Sequence, residues 1–89
     1  MARFWLRAAL SGVRYELRLY GELDGSTACR VLDAVIHAPD RAQEVVVDLA
    51  GLSRAESFGL DVLVNNVKAC APRRHVLVVG APAASRVAI

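Results

Sequence analysis

At 89 residues, 55% of them hydrophobic, the chain has the size of one domain that can bury a core of its own and leaves no room for a second. Its 11 basic and 9 acidic residues are spread along the chain for a net charge of +2, which gives no electrostatic case for nucleic acid or an anionic membrane as partner. No apolar run approaches a bilayer crossing, and Phe4-Trp5-Leu6 lies between Arg3 and Arg7 rather than in a signal-peptide core, so a cytoplasmic location is expected.

Residues 4–10 and 13–20 alternate apolar and polar around Ser11-Gly12 and predict two strands joined by a tight hairpin. Phe4, Leu6 and Ala8 share one parity, as do Val13, Tyr15, Leu17 and Leu19, and these are expected to line the core. Arg3, Trp5, Arg7, Arg14, Glu16, Arg18 and Tyr20 then form a solvated face, where long side-chain stems cover apolar surface. Gly21 to Gly25 interrupt the alternation. Ala28, Val31, Leu32, Val35 and Ile36 follow at helical spacing, with Ser26 or Asp24 as the cap and Pro39 beyond the end. Glu44 to Leu49 holds three successive valines and predicts a central strand buried on both faces. A loop over 50–56 leads to a second helical stripe, Leu60, Leu63, Val64, Val67 and Ala71, closed by Pro72. His75 to Val79 is a last short strand, and Gly80-Ala81-Pro82 opens a further helix that is short or truncated at Ile89. The expected architecture is α/β: a mixed four-stranded sheet that begins with a hairpin and carries its helices mainly on one face, over a single domain 1–89.

Chemistry concentrates at Glu56-Ser57-Phe58-Gly59-Leu60, where a loop enters a helix. A helix N-terminus carries unpaired N–H groups and the positive end of the helix dipole, a setting that suits negative charge. Ser57 is placed either to cap that helix or to carry a phosphate. On the second helix Leu60, Leu63, Val64 and Val67 are expected to face the core. That leaves Phe58, Val62 and Ala69 on the opposite side as an apolar patch rimmed by Asp61, Asn65, Asn66 and Lys68. Cys29 and Cys70 have no framework spacing and are expected to be reduced, partly buried thiols. His37 and His75 have no ligand-spaced partners, and no nucleophile elbow, phosphate loop or acid/base pair is present. The expected function is therefore binding without catalysis, metal or cofactor.

Three segments in register carry a family resemblance. Gly21-Glu22-Leu23-Asp24, Val45-Val46-Val47-Asp48-Leu49 and Glu56-Ser57-Phe58-Gly59-Leu60 resemble the Gly-Glu-Leu-Asp segment, the central strand and the Asp-Ser-Ser/Thr-Gly-Leu signature of the STAS domain, the fold of bacterial anti-sigma factor antagonists. The resemblance spans almost the whole chain. It implies that Ser57 is the residue phosphorylated by a partner anti-sigma factor with serine kinase activity, and that the unmodified form binds this partner while the phosphorylated form does not. Together with the apolar patch read from the periodicity of the second helix, the expected docking surface is Asp24, Glu56, Ser57, Phe58, Gly59, Asp61, Val62 and Asn65. Glu56 and Phe58 depart from the signature, in which an aspartate and a small hydroxylated residue stand at these positions. The alternative is a STAS accessory domain of a transporter or multiprotein sensor, in which Ser57 is only a cap.

Overall fold

Alternating parity at the N-terminus produces β1 (Phe4–Ser11) and β2 (Arg14–Leu23), paired antiparallel from Phe4↔Gly21 to Ser11↔Arg14. The computed structural model describes residues 3–80, and after the hairpin the chain continues through α1 (Gly25–Ile36), β3 (Glu44–Asp48), β4 (Leu52–Ala55), α2 (Ser57–Asn66) and β5 (His75–Val79). The main sheet runs β1-β2-β3-β5, with every pairing after the hairpin parallel. β3 is central, as its valines require: Val45, Val46 and Val47 are all fully buried. The helix expected over Pro82 to Ile89 lies outside the described residues.

One element was not anticipated. The segment expected to be a loop contains a fifth strand, β4, which pairs in parallel with the end of β2. The cause is a mismatch of lengths, because β3 occupies β2 only from Arg14 to Arg18 and leaves Gly21 to Leu23 free on the same side. Leu52-Ser53-Arg54-Ala55 has no β-branched residue and only four positions, too few to show alternation. Its strand character is imposed by a neighbour with open hydrogen-bonding groups. Gly21 sits at the changeover, where the register with β4 slips, and its φ of +87° suits a residue without Cβ.

The core is a layer of Leu17, Leu19, Leu23, Val45 and Val47 from the sheet against Ala28, Val31 and Val35 of α1 and Leu63 and Val67 at α2. Each fully buried leucine or valine here contributes about 1.5–3 kcal/mol of transfer free energy. Several expected core positions differ. Gly12 adopts φ +60° and makes the first corner of the hairpin, so the two-residue turn is Gly12-Val13 and Val13 is exposed rather than buried. Ala8 is also exposed, because β1 is an edge strand and the core packs on its Phe4 and Leu6 only. Ile36 is exposed at the end of α1, where the chain turns and Ala38 fills the inner position instead. The second helix ends at Asn66 rather than at Pro72. Tighter turns follow it, in which the Ala71 N–H donates to the Lys68 carbonyl. Cys29 is exposed on α1, and Cys70 is half-buried in those turns.

The opposite sheet face is the solvated one expected. Trp5 and Tyr20 stack with centroids 5.5 Å apart, the Arg7 guanidinium lies over the Tyr20 ring, and Arg18 and Arg14 pair with Glu16 and Glu44.

A Cβ at position 21 would collide with the Arg3 carbonyl oxygen and would also have to accept a left-handed backbone. Gly21→Ala is therefore expected to lower the free energy of unfolding by about 2 kcal/mol or more, read from urea denaturation.

Candidate functional site

Both helices begin at the same end of the sheet, and the strand register is the reason. In the parallel pair β2–β4, Leu23 stands beside Ala55, so the next residues, Asp24 and Glu56, leave the sheet side by side. The Glu56 N–H donates to the Leu23 carbonyl at 2.9 Å and extends that pairing by one residue. Asp24 is the N-cap of α1 and Glu56 the N-cap of α2.

The two caps differ in chemistry. Asp24 Oδ1 accepts from the Thr27 N–H at 2.9 Å, from Ser26 Oγ at 3.0 Å and from Thr27 Oγ1 at 3.1 Å, while the Asp24 N–H donates to Thr27 Oγ1 at 2.7 Å. This reciprocal capping box satisfies the first turn of α1. The Thr27 N–H, followed by the two hydroxyls, holds the Asp24 carboxyl below the usual aspartate range. Of the two capping candidates from sequence, Asp24 is thus the cap and Ser26 supports it. Glu56, by contrast, makes no side-chain cap bond, so no side chain at the cap position engages the first N–H groups of α2. Ser57 is the first helical residue, not the cap, and it is exposed.

The first turn of α2 rests on the start of α1. Gly59 is buried, and a Cβ there would stand 2.8 Å from the Asp24 carbonyl carbon, so only glycine permits this approach. Phe58 is 69% exposed, yet a Cβ on Gly25 would come within 2.7 Å of its ring, which places the ring edge beside the first residue of α1. The structure thus brings Asp24, Glu56, Ser57, Phe58 and Gly59 together. Asp61 and Asn65 are exposed and continue from Ser57 at four-residue steps, forming a polar row down α2.

The second helix is rotated from its expected setting. Its buried line is Gly59, Leu63 and Val67, while Val64 is 55% exposed and Val62 is half-buried against the core rather than on the opposite side. A hydrophobic stripe assigns no weight to glycine, whereas close packing at Gly59 draws that edge of the helix inward. Two site residues were not singled out from sequence, Glu22 and Arg54. They are cross-strand neighbours, and with Leu23, Asp24 and Glu56 they line an open depression beside the helix starts. Arg54 belongs to β4, and without that strand no pattern connects it to the site. Among the described residues no three His, Cys, Asp or Glu side chains converge as metal ligands would, and no helix is long and apolar enough to cross a membrane.

Residues 6–88 match the family model described as "Mlab, STAS domain". The chain belongs to the STAS domain family. No curated protein sequence matches it significantly. Among solved structures this STAS domain is similar to Mglu, with 26% identity and a TM-score of 0.73 over 84% of this chain. It spans only 19% of the Mglu chain. It is also similar to an anti-sigma factor antagonist from Mycobacterium paratuberculosis, at 18% identity and a TM-score of 0.68 over 97% of this chain and 76% of that one. A third is SpoIIAA, an anti-sigma factor antagonist in its unphosphorylated form, at 20% identity and a TM-score of 0.58 over 96% of this chain and 80% of that one. At these identities the two antagonists establish the shared STAS fold.

The lowered Asp24 carboxyl has a consequence for folding. Because its folded pKa lies below the unfolded value of about 3.9, its contribution is complete above that value and is lost as pH falls through the folded one. Asp24→Ala is expected to lower the thermal midpoint at pH 7, and the gap from wild type should close as pH falls below about 3.9.

Proposed function

We propose that this STAS domain is a non-catalytic switch, an anti-sigma factor antagonist that binds a serine-kinase-type anti-sigma factor through the paired helix starts and is released by phosphorylation at Ser57. The observation that carries this reading is the position of Ser57. It is exposed at the first residue of α2, and the capping position belongs to Glu56, so the hydroxyl is spared for chemistry.

The physical steps are short. In the unmodified state the docking face presents an exposed apolar ring, Phe58, with Asp24, Glu56, Asp61 and Asn65 around it, the ring edge lying beside Gly25 while Gly59 packs on Asp24 and Val62 is half-buried against the core. Burying the ring against a partner supplies about 1.5–3 kcal/mol and gives the face its anchor. Phosphate on Ser57 adds about −1.5 to −2 charges within the same few residues as Asp24 and Glu56. The open N–H groups of α2 tolerate that charge, so the domain keeps its fold. A partner surface matched to a neutral hydroxyl does not tolerate it, because it would have to desolvate a dianion. Release thus follows from local charge without rearrangement of the sheet. The fold shared with antagonists, one of them SpoIIAA in an unphosphorylated form, supports the same reading.

A second reading is favoured by Phe58 itself. A large exposed aromatic stands where the signature has a small hydroxylated residue, and Glu56 replaces the aspartate. Such a surface suits permanent docking as a STAS accessory domain of a transporter or multiprotein sensor, without phosphorylation.

Incubation with the cognate kinase and ATP, followed by mass mapping, separates the two. Phosphate is expected on Ser57 alone, with Ser57→Ala binding the anti-sigma factor like wild type and Ser57→Asp binding at least about tenfold more weakly. Phosphate on Ser26, Ser53 or Ser85 with Ser57 bare, or equal binding by both variants, would exclude the switch and leave the second reading. Either reading predicts that Phe58→Ala weakens partner binding roughly tenfold or more in calorimetry. Its unfolding free energy should change by no more than about 0.5 kcal/mol, as for an exposed side chain.

A further inference from the structure

We propose that the outer edge of β1 is a self-association surface, pairing antiparallel with β1 of a second copy of this chain about a twofold axis at Ala8. Among the described residues β1 is hydrogen-bonded to β2 alone. The Glu22 N–H donates to the Arg3 carbonyl at 2.6 Å, which continues the β1–β2 ladder beyond Phe4↔Gly21 and sets its phase. Trp5, Arg7 and Ala9, in step with Arg3, aim their backbone groups at β2, and Leu6, Ala8 and Leu10 aim theirs outward. This is a row of open donors and acceptors whose complement is another strand.

The edge carries none of the features that keep such rows apart. Phe4 to Ser11 contains no proline and no lysine, and its register with β2 is unbroken along eight residues. Its one charge, Arg7, lies inward over the Tyr20 ring of β2, 5.9 Å from the centroid, and does not shield the edge.

Self-complementarity identifies the occupant as a second copy. On the helix side Phe4 lies beneath Arg30 and Leu6 packs on the core, whereas Ala8 and Leu10 are exposed. With the axis at Ala8, the exposed Leu10 of each copy stands opposite Leu6 of the other, and Ala8 meets Ala8 without crowding. On the open face Arg7 then meets Ala9 and Trp5 meets Ser11. An axis at Arg7 would set two guanidinium groups directly opposite, which is unfavourable. An axis at Ala9 would end the ladder at Arg7 opposite Ser11, because Leu6 would fall opposite Gly12, a turn residue at φ +60°, whereas the axis at Ala8 gives up only Phe4 to that position and keeps Leu6 paired. An edge of this length buries area at the low end of specific interfaces, so a micromolar rather than nanomolar dimer is expected. None of these residues belongs to either helix start, so association leaves the phosphorylation site open.

Sedimentation velocity over a concentration series, with disulfide trapping, tests the pairing. Wild type is expected to shift from monomer to dimer with rising concentration, and Ala8→Pro, which removes an outward donor and costs the β2 ladder nothing, should raise the dissociation constant about tenfold or more. In a Cys29→Ser, Cys70→Ser background, Ala8→Cys should form a disulfide-linked dimer under mild oxidation while Ala9→Cys should not, because only the former lies within bridging distance of its counterpart. A protein that stays monomeric up to roughly 1 mM overturns the proposal, as does a dimer unaffected by Ala8→Pro. Crosslinking of Ala9→Cys or Arg7→Cys in preference to Ala8→Cys would place the interface or its register elsewhere and overturn it as well.

Discussion

The parallel alignment of Leu23 with Ala55 is the constraint on which the rest of this domain depends. β2 is twice as long as β3, and the surplus at its C-terminal end recruits β4. Two strands that end side by side and point the same way must start their following helices side by side. The positive ends of two helix dipoles are thereby set next to each other, and the acidic residues Asp24 and Glu56 stand where those dipoles favour negative charge. Gly59 allows the starts to come within van der Waals contact, and the phenyl ring of Phe58 is carried to Gly25 as a result.

Within that arrangement, two carboxylates at matching positions have separate roles. Asp24 is committed to the α1 capping box by three hydrogen bonds and serves the fold. Glu56 occupies the same place on α2 without a side-chain cap bond and is exposed. The asymmetry follows from the third helical residue. Thr27 can return a bond to Asp24, whereas its counterpart Gly59 has no side chain to reach back and is used for close packing instead. A well-capped helix thus supports a less completely capped one. The exposed Ser57 hydroxyl stands at that less completely capped start.

The sheet has a comparable asymmetry between its faces and between its halves. One face is sealed by the helices. The other is a lattice of arginine pairs and the Trp5–Tyr20 stack, which shields apolar ring surface while remaining wet. β1 is the strand least served by either layer, since its second half extends beyond the core cluster and its outer backbone groups meet no described strand.

Much of this was legible in the amino-acid sequence, because the signals involved are local. Alternation in the hairpin and three successive valines marked the first three strands of the main sheet. Helical spacing marked both helices, and the segment containing Ser57 marked the start of the second. Those features depend on the hydrophobic period and on turn residues, both of which act over a few positions. The fifth strand, the rotation of α2 and the depression lined by Glu22 and Arg54 were not legible. β4 exists because β2 outruns β3, and α2 turns because a glycine packs where a side-chain pattern records nothing. Val62 moved inward and Val64 outward for that reason. Sequence by itself determined the hairpin, the central valine strand, the last strand and the two helical stripes, together with the charged and hydroxyl side chains they carry. Only the tertiary structure decided that Asp24 and Glu56 would meet and that Glu56 rather than Ser57 would hold the cap position, because those outcomes rest on strand register and close approach between segments some thirty residues apart.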